Sequence, residues 1–235
     1  MKITKKILTL LLLCLIVILS SCTSSLDSVD ICEKYISAVV EVQVRDDNDN
    51  VVGNATGTIV SSDGYILTNR HVIRSYDYAE QDYLYHKNIY VRKYNEEEFT
   101  KVDIIDYSSE YDLALLKLNS QEKCNYFKLC TEPLSYGEKI HTIGNGNGYG
   151  LAYAQGYIAA PIRTVKYDGE YIDAIQVSLM INEGNSGGPL INEKGQLVGI
   201  TTFRLRDGQN NVIYGTCFSV PITNVKAFLQ NSNVL

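Results

Sequence analysis

The sequence has 235 residues, of which 45% are hydrophobic and 20% are charged. This composition is typical of a globular protein and excludes an intrinsically disordered chain. The formal net charge is −6 at pH 7, and without a long basic block the chain lacks the electrostatic footprint of a nucleic-acid-binding protein.

The N-terminus has the pattern of a bacterial export signal. Lysines precede an apolar run at residues 7–19, which is too short for a membrane span of about 20 residues. The run ends in LSSC at residues 19–22, which resembles a lipobox. We therefore predict a lipoprotein signal peptide at residues 1–21, lipidation of Cys22, and a membrane tether at residues 22–30. The alternative is an ordinary signal peptide cut nearby, with Cys22 incidental.

The remaining chain predicts an all-β protein, because short apolar runs alternate with turn residues throughout. Strands are predicted at residues 38–44, 57–60, 65–68, 89–92, 99–105, 111–118, 137–143, 151–160, 172–179, 189–191, 197–202 and 212–220. About a dozen strands exceed a single sandwich and fit two barrels packed together. Helices are predicted at residues 29–36 and 223–229, with Thr223 as the N-cap of the second. Residues 74–85 are polar and tyrosine-rich, which predicts an exposed loop.

Four cysteines lie beyond the predicted signal peptide and lipidation site: Cys32, Cys124, Cys130 and Cys217. Export permits disulfides, and four cysteines allow 3 connectivities. Buried free thiols are an equal alternative. No spacing suggests a metal site, and we predict neither a metal nor another cofactor.

The most informative segment is the glycine-rich stretch NEGNSGGPL at residues 182–190. Glycines allow backbone dihedrals that a Cβ forbids, so several N–H groups can point at one place. A serine hydroxyl beside such donors offers both a nucleophile and an oxyanion hole for acyl transfer. The alternative is a glycine-rich hairpin in which Ser186 is incidental.

Two further residues could complete such a site. His71 ends a predicted strand, whereas His86 lies in the polar loop and His141 within a strand pattern. Asp112 opens a buried apolar strand, where an isolated carboxylate is unfavourable unless it is paired. Taken alone, His71 could be structural and Asp112 an exposed residue at a strand start. Together with Ser186 they follow the chain order His, Asp, Ser, which differs from that of α/β-hydrolases and subtilisins.

Three segments carry a family resemblance: ILTNRHVI at residues 66–73, YDLALL at 111–116 and GNSGGPL at 184–190. They resemble the HtrA/Deg family of trypsin-like serine proteases. Residues 56–58, 144–145, 199–202 and 218–221 match as well. The resemblance implies a chymotrypsin/trypsin-like double six-stranded β-barrel, with short N- and C-terminal helices and the active site between the barrels. It places the protease domain at residues 31–235, with barrels at roughly 31–125 and 130–221.

The resemblance also implies roles for individual residues. Ser186 becomes the nucleophile and His71 the general base and then acid, while Asp112 orients His71. The backbone N–H groups of Gly184 and Ser186 form the oxyanion hole. The S1 pocket is assigned to Met180, Ile181, Thr201, Thr202, Phe203, Thr216 and Cys217. None of these residues is acidic, which favours a shallow apolar pocket for small or medium aliphatic side chains.

The sequence departs from the family pattern at three points. We expect no PDZ domain after residue 221, Glu183 replaces the usual basic residue before Gly184, and Gly146 follows Asn145 where proline is more usual. These differences leave the regulation of the active site open.

The predicted function is that of an HtrA-like serine endopeptidase. It would be exported, lipid-anchored to the cell membrane or outer membrane, and act on exported or misfolded polypeptides on the extracytoplasmic side. A homo-oligomer is left open. The alternative is a catalytically latent or inactive protease-fold lipoprotein that binds partners as a scaffold.

Overall fold

A computed structural model describes residues 25–78, 80–167, 170–206, 209 and 211–235. The predicted signal peptide and the predicted lipidation site at Cys22 lie outside the described residues. Within the described part, no helix combines the length and apolar character that a membrane crossing requires.

Within these residues the chain forms fifteen strands and two α-helices, which confirms the all-β prediction. In chain order the elements are α1 (Ser28–Tyr35), β1 (Val39–Arg45), β2 (Val51–Ile59), β3 (Tyr65–Thr68), β4 (Arg74–Asp77), β5 (Asp82–Tyr85), β6 (Asn88–Lys93), β7 (Thr100–Lys101), β8 (Asp103–Ser108), β9 (Leu113–Lys117), β10 (Lys139–Gly144), β11 (Ala152–Tyr167), β12 (Glu170–Val177), β13 (Pro189–Asn192), β14 (Leu197–Arg206), β15 (Val212–Pro221) and α2 (Ile222–Asn231).

The strands form two main antiparallel units. The N-terminal sheet has the order β7-β6-β1-β2-β3-β9-β8, and the C-terminal strands close into a barrel with the order β10-β11-β12-β15-β14-β13. The C-terminal unit is therefore the predicted six-stranded barrel, whereas seven strands build the N-terminal unit. The remaining pair, β4 and β5, forms a separate two-stranded sheet.

Strand alternation lets the N-terminal sheet contribute to two cores. Ile66 and Leu116 pack into the interior of the N-terminal sheet, whereas their neighbours Leu67 and Leu115 join a second cluster. That second cluster also contains Ile200 of the C-terminal barrel, together with apolar residues of both helices. Because successive side chains of a strand point to opposite faces, the same strands fill their own core and pack against the other unit.

The structure corrects two local predictions. Within the predicted loop, residues 74–77 and 82–85 pair as the two strands of the β4–β5 hairpin, with Tyr76 directly opposite Tyr83 and their rings 5.3 Å apart. Such cross-strand aromatic pairs stabilise a hairpin. The prediction of Thr223 as an N-cap was wrong, because α2 begins at Ile222 and its N-cap is Pro221.

The four cysteines of the described region are free thiols. Cys130 and Cys217 are buried in the core of the C-terminal barrel, and burial raises the pKa of the Cys217 thiol. The structure therefore has unpaired thiols at these four positions, and not disulfides.

We expect Phe127 to be a major source of stability, because it joins the connection between the two units to α1. Its ring is 1% exposed and stacks on Tyr35, with ring centroids 5.0 Å apart. Phe127→Ala should lower the free energy of unfolding in urea by about 3–5 kcal/mol. The matched control Tyr126→Ala, at an exposed ring, should change it by less than about 0.5 kcal/mol. Equal losses in the two variants would contradict this packing.

Candidate active site

His71 and Asp112 meet where two paired strands end and begin. His71 lies in the 3₁₀ turn Arg70–Ile73 that follows β3, and Asp112 directly precedes β9, the strand paired with β3. The His71 Nδ1 atom lies 2.7 Å from Asp112 Oδ2, and the His71 backbone N–H donates to Asp112 Oδ1 at 3.0 Å. The Asp112 carbonyl in turn accepts from the Asn69 side chain at 2.9 Å. The carboxylate and the imidazole are therefore held in one relative orientation.

The environment keeps the Asp112 side chain ionised. Burial by itself raises the pKa of this carboxyl, but the His71 imidazole and hydrogen bonds from His71 and Thr202 outweigh it and hold the pKa below its usual value. A carboxylate accepts a hydrogen bond, so the neighbouring Nδ1 of His71 carries the proton. In the neutral ring, the other nitrogen, Nε2, then holds the lone pair that a general base requires.

Thr202 connects Asp112 to Ser186, a role that the sequence analysis missed. Its hydroxyl donates to Asp112 Oδ2 at 2.8 Å, and its backbone carbonyl accepts the Ser186 hydroxyl at 3.0 Å. The family resemblance assigns Thr202 only to the S1 pocket. A hydroxyl in a strand carries no spacing signal that relates it to a residue 90 positions earlier.

Ser186 lies in a compact turn that requires its glycines. The Asn185 N–H donates to Asn182 O at 3.1 Å, and the Gly188 N–H donates to Asn185 O at 3.0 Å. Gly184 has φ of 95°, and a Cβ there would collide with the Asn145 carbonyl. Since only glycine adopts this backbone readily, other residues at position 184 would displace the turn.

Two backbone donors in this turn are unused. Within the described residues, neither the Gly184 N–H nor the Ser186 N–H has an acceptor. The preceding carbonyl, that of Glu183, accepts from the Asn147 N–H at 2.6 Å. Because C=O and N–H point in opposite directions across a trans peptide, this bond turns the Gly184 N–H away from Asn147. Unpaired donors beside a serine hydroxyl are what a developing oxyanion needs.

Thr56 connects the turn at residues 182–188, the serine turn, to the N-terminal sheet. It is fully buried in β2, where its N–H donates to Ser186 O at 2.9 Å and its hydroxyl donates to Gly184 O at 2.7 Å. The same hydroxyl accepts from the Asn145 N–H at 2.9 Å. Thr58, two residues along the strand, donates its hydroxyl to Gly187 O at 2.8 Å. One face of β2 therefore fixes the turn that carries Ser186.

Gly57, which lies between Thr56 and Thr58 in β2, shows why these two threonines face the serine turn. A Cβ on Gly57 would meet side chains of the N-terminal core, so this position points into that core. Strand alternation then directs Thr56 and Thr58 outward, toward the C-terminal barrel.

The remaining candidate residues lie at different places. Of the other histidines, His86 borders the same cavity as His71 and Ser186, whereas His141 is fully buried and bonds to Tyr153. None of the residues predicted for the S1 pocket borders that cavity. Met180 is exposed, Thr216 is half-buried, and the rest are buried: Ile181, Thr201, Thr202, Phe203 and Cys217. Their assignment to the S1 pocket stays a prediction.

Comparisons with known proteins agree with this geometry. The family model of the trypsin-like peptidase domain matches residues 55–200. A "Probable periplasmic serine endoprotease DegP-like" of Pseudomonas putida is 34% identical over 168 residues, which is 71% of this chain and 32% of the relative. The "Serine endoprotease DegS" of Haemophilus influenzae is 34% identical over 179 residues, or 75% of this chain and 49% of the relative. The chain thus spans between about a third and a half of these relatives.

A solved structure is similar as well. The crystal structure of the serine endoprotease from Yersinia pestis aligns with a TM-score of 0.68 and 27% identity. The alignment covers 87% of this chain and 65% of that one.

We expect Thr202→Val to raise the pKa of Asp112, because it removes one hydrogen bond to the ionised carboxylate. A depressed carboxyl pKa stabilises the fold above the ordinary value of about 3.9, and this contribution is lost as pH falls through the folded-state pKa. In Thr202→Val this contribution should be smaller, and its loss should be complete at a higher pH than in wild type. Carboxyl ¹³C NMR titration measures the pKa directly. Thr201→Val is the control, since this buried hydroxyl has no partner within the described residues; an equal shift in both variants would contradict the assignment.

Proposed function

The chain belongs to the trypsin-like peptidase family, and from this premise we propose that it is a serine endopeptidase with Ser186 as its nucleophile. The observation that carries the proposal is the bonded series from His71 through Asp112 and Thr202 to Ser186. It supplies a base and a hydroxyl that border one cavity of about 430 Å³, together with a carboxylate bonded to the base. The names of the relatives support peptide-bond hydrolysis.

Acylation begins with a rotation of the Ser186 side chain. Its hydroxyl donates to Thr202 O in this structure, so it must turn toward His71 Nε2 before it can react. His71 then takes the hydroxyl proton while Oγ forms a bond to the scissile carbonyl carbon. The imidazolium gives that proton to the leaving amine as the C–N bond breaks, and ionised Asp112 stabilises the positive ring throughout. Water hydrolyses the acyl-enzyme by the same proton transfers.

The oxyanion formed in both steps would bind the N–H groups of Gly184 and Ser186. Both donors are unused within the described residues. The peptide that carries the Gly184 N–H has its carbonyl, that of Glu183, bonded to Asn147, and the next peptide has its carbonyl, that of Gly184, bonded to Thr56. A donor fixed in advance stabilises the transition state without reorganisation during the reaction.

We further propose that the enzyme works close to a membrane surface outside the cytoplasm. The export and lipobox patterns support this, as does the periplasmic designation of its DegP-like relatives. The Leu26 N–H donates to Glu193 O at 2.7 Å, so the described chain begins on the C-terminal barrel. Four residues from Cys22 to Leu26 span at most about 14 Å. A lipidated Cys22 would hold the barrel against the headgroups, within reach of exported or misfolded polypeptides.

A latent, partner-binding lipoprotein is the second candidate. One observation favours it: the Ser186 hydroxyl is bonded to Thr202 and not to His71 in the described structure. Turnover separates the two functions, because a scaffold binds polypeptides without cleaving them.

Ser186→Ala should abolish both reaction with a fluorophosphonate probe and cleavage of unfolded casein, since no other group can form the acyl-enzyme. We expect the cleavage rate to fall at least about 10³-fold. The control Ser178→Ala changes an exposed serine and should leave both signals intact. Equal labelling of wild type and Ser186→Ala would refute the nucleophile assignment.

Thr56→Val should lower kcat by about tenfold or more with little change in KM, because a displaced Gly184 peptide weakens transition-state binding alone. Thr56→Ser keeps the hydroxyl and should restore most of the rate. Thr58→Val, which loses a bond to Gly187 but none to Gly184, is the control for a general packing effect. A rise in KM at constant kcat would contradict the role given to Thr56.

A further inference from the structure

The cavity at Ser186 extends across residues of the N-terminal sheet and the β4–β5 hairpin. Besides His71, Gly184 and Ser186 it is lined by Val44, Val52, Gly53, Val72, Ser75 and His86, among others. Its volume of about 430 Å³ lies within the range of ordinary ligand pockets.

A β-bulge directs Val52 into this cavity. In the pairing of β1 with β2, Val44 lies opposite Gly53 and Arg45 lies opposite Val51, so Val52 is an extra residue without a partner. Bulges commonly re-aim a side chain beside an active site. Val51 and Val52 are similarly exposed, at 48% and 53%, yet only Val52 borders the cavity.

Gly53 keeps the floor of the cavity open. A Cβ at this position would meet only Val44, at 3.7 Å, which is ordinary van der Waals contact. The backbone of Gly53 is outside the left-handed region, so glycine is not required there for conformation. The effect of having glycine is that no side chain lies on the floor opposite Val44.

The rim of the cavity is polar and of mixed charge. Arg74, Ser75 and His86 come from the hairpin region, whose base is closed where the His86 N–H donates to Ile73 O at 2.9 Å. Glu183 borders the opposite rim, 3.6 Å from Arg204. Because both signs of charge are present, the rim favours neither an anionic nor a cationic ligand. The valines of the lining, Val44, Val52 and Val72, therefore determine that the cavity prefers an apolar side chain.

We propose that this cavity is a subsite for an aliphatic side chain on the leaving-group side of the scissile bond, with Val52 as its specificity-determining residue. This inference rests on the proposed endopeptidase function. His71 delivers its proton to the leaving amine, so the leaving segment lies beside His71 and Val72. The residues predicted for the acyl-side S1 pocket do not border the cavity. Its occupant is therefore the polypeptide that follows the cleaved bond.

The test uses peptides that share one acyl-side sequence and carry either Leu or Glu at the first or second leaving-side position. Wild type should cleave the Leu peptides about tenfold faster in kcat/KM, the scale on which apolar pockets discriminate. Val52→Lys should reverse this ratio in favour of Glu. Gly53→Leu should lower cleavage of the Leu peptides relative to a coumarin amide with the same acyl side, because that substrate has no leaving-side residues. Val51→Lys should keep the wild-type ratio.

The outcomes separate this inference from the function on which it rests. If wild type cleaves the coumarin amide but Val52→Lys keeps the wild-type ratio, or shifts it no more than Val51→Lys does, the subsite is refuted while the endopeptidase stands. If wild type cleaves neither kind of substrate, the proposed function fails and the subsite fails with it.

Discussion

The hydrogen bonds between Thr56 and the serine turn are the constraint on which the rest of the site depends. His71 and Asp112 lie next to strands of the N-terminal sheet and Ser186 next to the C-terminal barrel, so the proposed catalytic groups can meet only if the two units keep a fixed relative position. Apolar packing between them is non-directional and would tolerate small shifts. Three bonds at Thr56, between 2.7 and 2.9 Å long, are directional and reach Ser186, Gly184 and Asn145. Full burial strengthens them electrostatically and makes their loss unfavourable.

The electrostatics of the site follow from this fixed geometry. A carboxylate that is 8% exposed is unfavourable without partners, and Asp112 has them from both units: His71 from the N-terminal sheet and Thr202 from the C-terminal barrel. Packing of the barrel thus completes the hydrogen bonding of Asp112, the acid that is proposed to orient His71. Within the described residues, the Ser186 hydroxyl donates to Thr202 O and the N–H groups of Gly184 and Ser186 have no acceptor, as the proposed oxyanion hole requires.

Much of this could be predicted from sequence, for identifiable reasons. The glycine turn at Ser186, the His71 strand end and the Asp112 strand start are local patterns, and the alternation of short apolar runs is enough for an all-β fold. The rest depends on contacts between distant residues. The hydroxyls of Thr202 and Thr56 bond to residues about 90 to 130 positions away, and ordinary strand patterns do not reveal such contacts. The β4–β5 hairpin is not predicted because its tyrosines make their contacts across the two strands, and such contacts are not visible in the order of residues. The position of Val52 is not predicted because a bulge breaks the alternation on which strand prediction relies.

The most direct test of the account is a crystal structure of the protein after a peptidyl phosphonate has reacted with Ser186. We expect the phosphonyl oxygen about 2.7–3.1 Å from the N–H groups of both Gly184 and Ser186. The Glu183–Asn147 and Thr56–Gly184 bonds should be intact and the bond from Ser186 Oγ to Thr202 O broken. A phosphonyl oxygen that points to solvent, with the Gly184 N–H turned away from it, would contradict the claim that Thr56 holds the oxyanion hole ready before substrate binds.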